Sequence, residues 1–166
     1  MTYAIAITAP TATEEPQEFT HSPVSRSFSA LLLALRAAVE AEIKTLETDI
    51  YTTTFRDQIH SAFNDWCLVF NYARQVLAHD PTRHQDDELR HVAALIGIST
   101  YLEHSEDCRA YNLLVRDYSP IFHCSAETPV GRRTIQMIDI ARDRFKKLDR
   151  AVLSSECEAE APAVRM

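Results

Sequence analysis

Glycine is nearly absent: the 166-residue chain holds only two, Gly97 and Gly131. Tight hairpins, β-bulges and phosphate-cradling loops lean on glycine, because it alone takes positive φ without a steric penalty. Two glycines cannot furnish the turns of a β-sandwich, nor a GxxxxGK nucleotide loop. The four cysteines, Cys67, Cys108, Cys124 and Cys157, make no CxxC pair and no zinc-ribbon spacing. No disulfide framework is indicated, so a reducing, cytoplasmic setting is the expectation. Cys67 and Cys108 fall on apolar helical stretches, where a thiol behaves as a small hydrophobe. No window approaches the ~18 uninterrupted apolar residues of a membrane span. The start MTYAIAITAP lacks a basic segment and its apolar run is short, so no secretory signal is expected.

Hydrophobic residues make up 46% and charged residues 25% of the chain, which excludes wholesale disorder and fits one globular domain. The net charge of −7 is concentrated at the ends. Residues 1–21 carry Glu14, Glu15 and Glu18 with no Lys or Arg, and residues 156–166 carry Glu156, Glu158 and Glu160 against Arg165. The body between is nearly neutral. Nucleic-acid affinity comes mainly from Lys and Arg on phosphates, so a nucleic-acid partner is not expected.

The expected organisation is an N-terminal tail over 1–21, a helical domain over 22–155 and an acidic C-terminal tail over 156–166. Ser22-Pro23 reads as a cap followed by proline in the first turn. From there Val24, Phe28, Leu32, Leu35, Val39, Ile43, Leu46 and Ile50 recur every three or four positions, one stripe of about seven turns. The β-branched run after Tyr51 breaks it. A second helix places Phe55, Ile59, Phe63, Trp66, Phe70, Ala73 and Leu77 on one face, and its aromatic density marks it as the expected core centre. His79-Asp80-Pro81 ends it.

Asp86 or Asp87 caps a third helix, apolar almost all round from Val92 to Leu102 and therefore expected to be buried. Gly97 in its middle costs about 1 kcal/mol relative to alanine and suits a close helix crossing. A fourth helix is expected from Ser105 to Tyr118, with Pro120 ending it. Thr128-Pro129 opens a fifth, whose seam of Ile138, Ala141, Phe145, Leu148 and Val152 has the heptad-like spacing of a helix packed nearly antiparallel to a long partner. The fold predicted is an all-α five-helix bundle with flexible acidic N- and C-terminal tails.

Several constellations bear on function. Asp57 with His60 and Glu88 with His91 are i, i+3 carboxylate–histidine pairs, the unit from which di-metal sites in helical bundles are built, with Glu40, Glu42 or Glu103 as further ligands. The same residues near helix N-termini serve as capping or solvated-face groups. His79, His84 and His91 surround the connection after the second helix, beside Asp80, Asp86, Asp87 and Glu88, and would suit zinc only if they converged. Arg74 to His79 (R-x4-H) and Arg116 to His123 (R-x6-H) resemble the catalytic motif of HEPN ribonucleases. That resemblance implies a helical, usually dimeric protein whose arginine and histidine act together on the scissile phosphate of RNA. Asp117 follows the family pattern after the arginine; Gln75 departs from it, and Pro120 interrupts the second motif.

No GxSxG elbow occurs, and Cys124 beside His123 points a different way on a helix. The last helix is conspicuously basic: Arg132, Arg133, Arg142, Arg144, Lys146, Lys147 and Arg150, against Asp139, Asp143 and Asp149. The sequence therefore points to a non-enzymatic helical interaction protein (adaptor, inhibitor or regulator). It needs no cofactor or metal, and those seven cations form its expected surface for another protein or a second copy of itself. A metal-dependent bundle enzyme or a HEPN-like ribonuclease is the alternative.

Overall fold

The computed structural model describes residues 21–101, 112, 114 and 126–159. These residues are helical with no strand among them, in four helices: α1 Pro23–Leu46, α2 Thr53–Ala78, α3 His84–Tyr101 and α4 Pro129–Ala159. The all-α class holds, and the described residues show four helices rather than five. The helix expected from Ser105 to Tyr118 lies outside the described residues except for Asn112 and Leu114, both helical, of which Leu114 is buried in the core. The expected tail over 1–21 likewise lies outside them, His21 apart. The last helix runs on to Ala159, past the expected domain end at 155.

Local chemistry sets the helix ends. Ser22 caps α1, its Oγ accepting from the Ser25 N–H at 3.0 Å, with Pro23 in the first turn. The expected stripe ran to Ile50, but α1 stops at Leu46 and Ile50 is exposed. Asp49 Oδ1 accepts from the Tyr51 N–H at 3.0 Å and Asp49 O from the Thr52 N–H at 3.0 Å, so a side-chain-stabilised turn outcompetes another helical turn. Thr128 opens α4 in the same way as Ser22, its Oγ1 accepting from the Gly131 N–H at 3.0 Å.

Asp86 is not the cap of α3. The helix begins at His84, and Asp86 Oδ2 reaches back to accept from the Arg83 N–H (3.1 Å), the Thr82 N–H (2.9 Å) and the Thr82 hydroxyl (2.9 Å). This is the return arm of a capping box, supplied from the third helical position.

Side-chain contacts give the directions. Ser27 and His79 meet at 2.9 Å at one end of the α1–α2 pair, and Trp66 Nε1 donates to Glu42 Oε2 at 3.2 Å further along, so the two helices are antiparallel. Ser22 reaches Asp86 at the start of α3, and Ser25 meets Met137 of α4 at 3.9 Å. Helices α1, α3 and α4 therefore run parallel, with their N-termini at one end. Helix α4 thus runs parallel to α1 and α3 and antiparallel to α2, whose Trp66 ring lies 6.4 Å from that of the seam residue Phe145. The end of α3 and the start of α4 therefore lie at opposite ends of the bundle.

Phe28, Leu31, Leu35, Leu89, Ile96, Met137 and Phe145 form the fully buried centre. The core face of α2 differs from expectation. Ala62, Val69, Ala73 and Val76 are buried, whereas Phe63 is 61% exposed. Two adjacent apolar stripes run along α2. The slimmer one is buried, with Ala73 set against Gly97 of α3; of the aromatic one, Trp66 packs on the core, Phe70 is half-buried, and Ile59, Phe63 and Leu77 are exposed. Nor is α3 buried all round: Ile98 is exposed.

Candidate interaction surfaces

The metal hypothesis requires the Asp57–His60 and Glu88–His91 pairs to meet. Each pair lies near the N-terminus of its helix, and α2 and α3 are antiparallel, so the pairs sit at opposite ends. With Gly97 beside Ala73 as the crossing point, about 1.5 Å of rise per residue separates them by roughly 30 Å along the bundle. Among the described residues no three His, Cys, Asp or Glu side chains gather as a metal would require. His79 is engaged with Ser27 across the α1–α2 contact.

The first HEPN-like motif is not assembled within the chain. Arg74 lies over the Phe70 ring, 5.9 Å from its centroid, on the outer side of α2, while His79 turns toward α1 from an extended cap residue. Arg116 and His123 lie outside the described residues.

The seven cations of α4 spread around the solvent half of the helix. Arg132 and Arg150 lie at the same azimuth, five turns apart at about 3.6 residues per turn, with Asp139 and Asp143 on the strip between them. Arg132 donates to the Ala126 and Glu127 carbonyls at 3.2 and 3.1 Å and so braces the turn ahead of its own helix. Arg133 donates to Gln136 Oε1 at 2.9 Å, and Arg142 stands 3.9 Å from Asp139. Arg144 and Lys147 lie toward Glu40 of α1. A hydrogen bond from Arg36 at 2.9 Å is the main cause that holds the Glu40 carboxyl below its usual range, and the fields of Lys147 and Arg144 add to it. Lys146 and Arg150 complete the basic C-terminal half.

A second surface went unread as such, because its residues look like core. Phe70, Ala73, Arg74 and Leu77 of α2 and Ala94, Gly97 and Ile98 of α3 line an open groove of about 470 Å³. Apart from Arg74 its lining is apolar. Ile59 and Phe63 extend the same strip along α2 and are 44% and 61% exposed; Ile98 on the facing helix is 49% exposed. The signal was present: Phe63, Phe70 and Leu77 repeat every seven residues beside a second apolar stripe. A helix with one neighbour on each side cannot bury both.

A polar cavity between Ser22, Asp86, Arg133 and Thr134 is about 10 Å³, the size of one water. It has no room for a substrate. The described residues thus define a small all-α bundle with an apolar groove and a basic helix but no assembled set of reacting groups. No family model, curated protein or solved structure matches the chain.

Proposed function

We propose that this protein is a non-enzymatic helical interaction module, an adaptor, inhibitor or regulator that binds another protein. The observation that carries this reading is the apolar strip of Ile59, Phe63, Phe70, Leu77 and Ile98, open along α2 and α3. Single exposed hydrophobes need no explanation, but a contiguous strip several turns long is the kind of surface that an amphipathic partner covers. With one cation and no other polar group in its lining, the groove would orient a small molecule poorly and suits a peptide or helix better. The cations of α4, chiefly Arg144, Lys146, Lys147 and Arg150, supply a second, electrostatic surface for an acidic partner, with Arg132, Arg133 and Arg142 extending it.

A photo-crosslinking residue placed at Phe63, at Lys147 and, as an exposed control on α1, at Ala37 tests this in extracts of the source cells. A discrete protein adduct from Phe63 or Lys147, absent from Ala37, is the expected result. Absence of adducts from both sites would sink the reading.

A further inference from the structure

Among the described residues arginines dominate the groove's rim, with one carboxylate, Asp87, beside Arg90, and that rim selects what lies in it. Arg74 stands over Phe70 at 5.9 Å. Arg90 of α3 donates to the Leu77 carbonyl at 3.2 Å and is only loosely paired with Asp87 at 3.9 Å. Arg56 is exposed on the same side of α2 as Phe63. The acidic residues of α2, Asp57 and Asp65, fall on other faces of the helix. An occupant that matches this surface is apolar over part of its length and acidic over the rest.

We propose that the occupant is the chain's own N-terminal segment, residues 1–20, docked in cis in the α2–α3 groove. Its composition is the required one: Tyr3-Ala-Ile-Ala-Ile7 is apolar, and Glu14, Glu15 and Glu18 come with no Lys or Arg. It also starts at the right place. Ser22 contacts Asp86 at 2.6 Å and Ser27 contacts His79 at 2.9 Å, so the chain leaves α1 at the end of the bundle where Leu77 and Arg90 lie. From Ser22 back to Glu14 the chain spans up to about 26 Å at ~3.3 Å per residue, enough to bring the glutamates to Arg90 and Arg74. The remaining residues reach Tyr3–Ile7 past Phe63, which lies about 21 Å beyond Leu77 along the helix axis.

A second copy fits less well. It would bring Arg56 and Arg74 of both copies into one seam, like charge against like charge. The C-terminal acidic residues fit less well too, because α4 ends at the opposite end of the bundle. If the groove is also the partner site proposed above, the segment is a built-in competitor: a partner must displace it, and affinity falls by the fraction of molecules in which the groove is closed.

The test uses the purified full chain with a photo-crosslinker at Phe63, which is exposed enough to be replaced without disturbing the core. Equal amounts of light and heavy isotope-labelled protein are mixed, irradiated, digested and analysed by mass spectrometry. The expected product joins position 63 to a peptide within residues 1–20 of the same isotope label. A mixed-label product, a link to residues 156–166, or no link to residues 1–20 overturns the proposal. In the E14K/E15K/E18K chain the same product should fall at least about threefold at low salt, where rim charges act most strongly; an unchanged yield overturns the charge-matched docking. The two readings fail separately. A cis product in pure protein without partner adducts in extract leaves the docking standing and removes the interaction module, and the reverse pair of results does the opposite.

Discussion

Ser22 Oγ donates a 2.6 Å hydrogen bond to Asp86 Oδ1, joining the cap of α1 to the first turn of α3 across 64 residues of sequence. Both residues are almost fully buried, and each also stabilises its own helix start: Ser22 through the Ser25 N–H, Asp86 through Thr82 and Arg83. One contact thus fixes the end at which α1, α3 and α4 all begin. Ser22→Ala removes a cap and one donor to a buried carboxylate and is expected to cost about 1–3 kcal/mol. Asp86→Asn leaves several donors facing an amide and should cost a similar amount. A double-mutant cycle in urea, read by the fluorescence of Trp66, should return a coupling of about 1 kcal/mol or more. Additive effects would show that the bond does not hold the two helix starts together.

Asp86 also makes a prediction about pH. Its burial opposes ionisation, but the hydrogen bonds from Ser22, Thr82 and Arg83 outweigh that effect, and its pKa lies below the ordinary value. A carboxyl whose pKa is lower folded than unfolded adds stability that is fully present above the unfolded value, about 3.9. The contribution is lost as pH falls from there through the folded value. Wild type should therefore lose more stability than Asp86→Asn between about pH 5 and 3. Parallel stability curves for the two proteins over that range would contradict this.

Gly97 tests whether α3 needs a glycine. A Cβ built there meets Ala73 Cβ at 3.6 Å, an ordinary van der Waals contact, so the close crossing expected at this position leaves room for a methyl group. Gly97→Ala should then gain the helix-propensity difference, about 1 kcal/mol, and raise Tm by roughly 3 °C for a domain of this size. Because Gly97 lines the groove, the same methyl narrows it and should weaken whatever docks there. Destabilisation in a thermal melt would mean that the helices cannot accept even that contact.

Much of the fold was legible because it is written in local chemistry. Ser22-Pro23 and Thr128-Pro129 mark their helix starts, and Asp80-Pro81 marks where α2 must end. The seam Ile138, Ala141, Phe145 and Leu148 is buried as its spacing requires. What could not be read was relative: which of two apolar stripes on α2 faces inward, and whether α4 runs with or against α1. Periodicity gives each helix an apolar face but says nothing about how many neighbours are available to cover it. For the same reason the strip through Phe63 passed for core. Asp86 was misplaced by the opposite route, since a cap and a residue reaching back to the cap lie three positions apart and use the same carboxylate chemistry.

The basic half of α4 separates a docking surface from a merely solvated one. Lys146 and Arg150 point outward, whereas Lys147 and Arg144 also act on Glu40 of α1. Lys146→Glu with Arg150→Glu should change stability by no more than about 0.5 kcal/mol, because surface charges away from buried partners contribute little. Arg144→Glu with Lys147→Glu places carboxylates near Glu40 and should raise its pKa, which the side-chain carboxyl resonance of that residue in NMR would report. If α4 docks an acidic partner, both double variants lower crosslinking from a probe at Gln136, an exposed position on the same outward strip of the helix. The loss should shrink as salt is raised toward the regime where the Debye length falls below about 8 Å. If α4 only keeps the bundle hydrated, neither variant alters the adducts at any salt, and the groove between α2 and α3 is left as the binding surface.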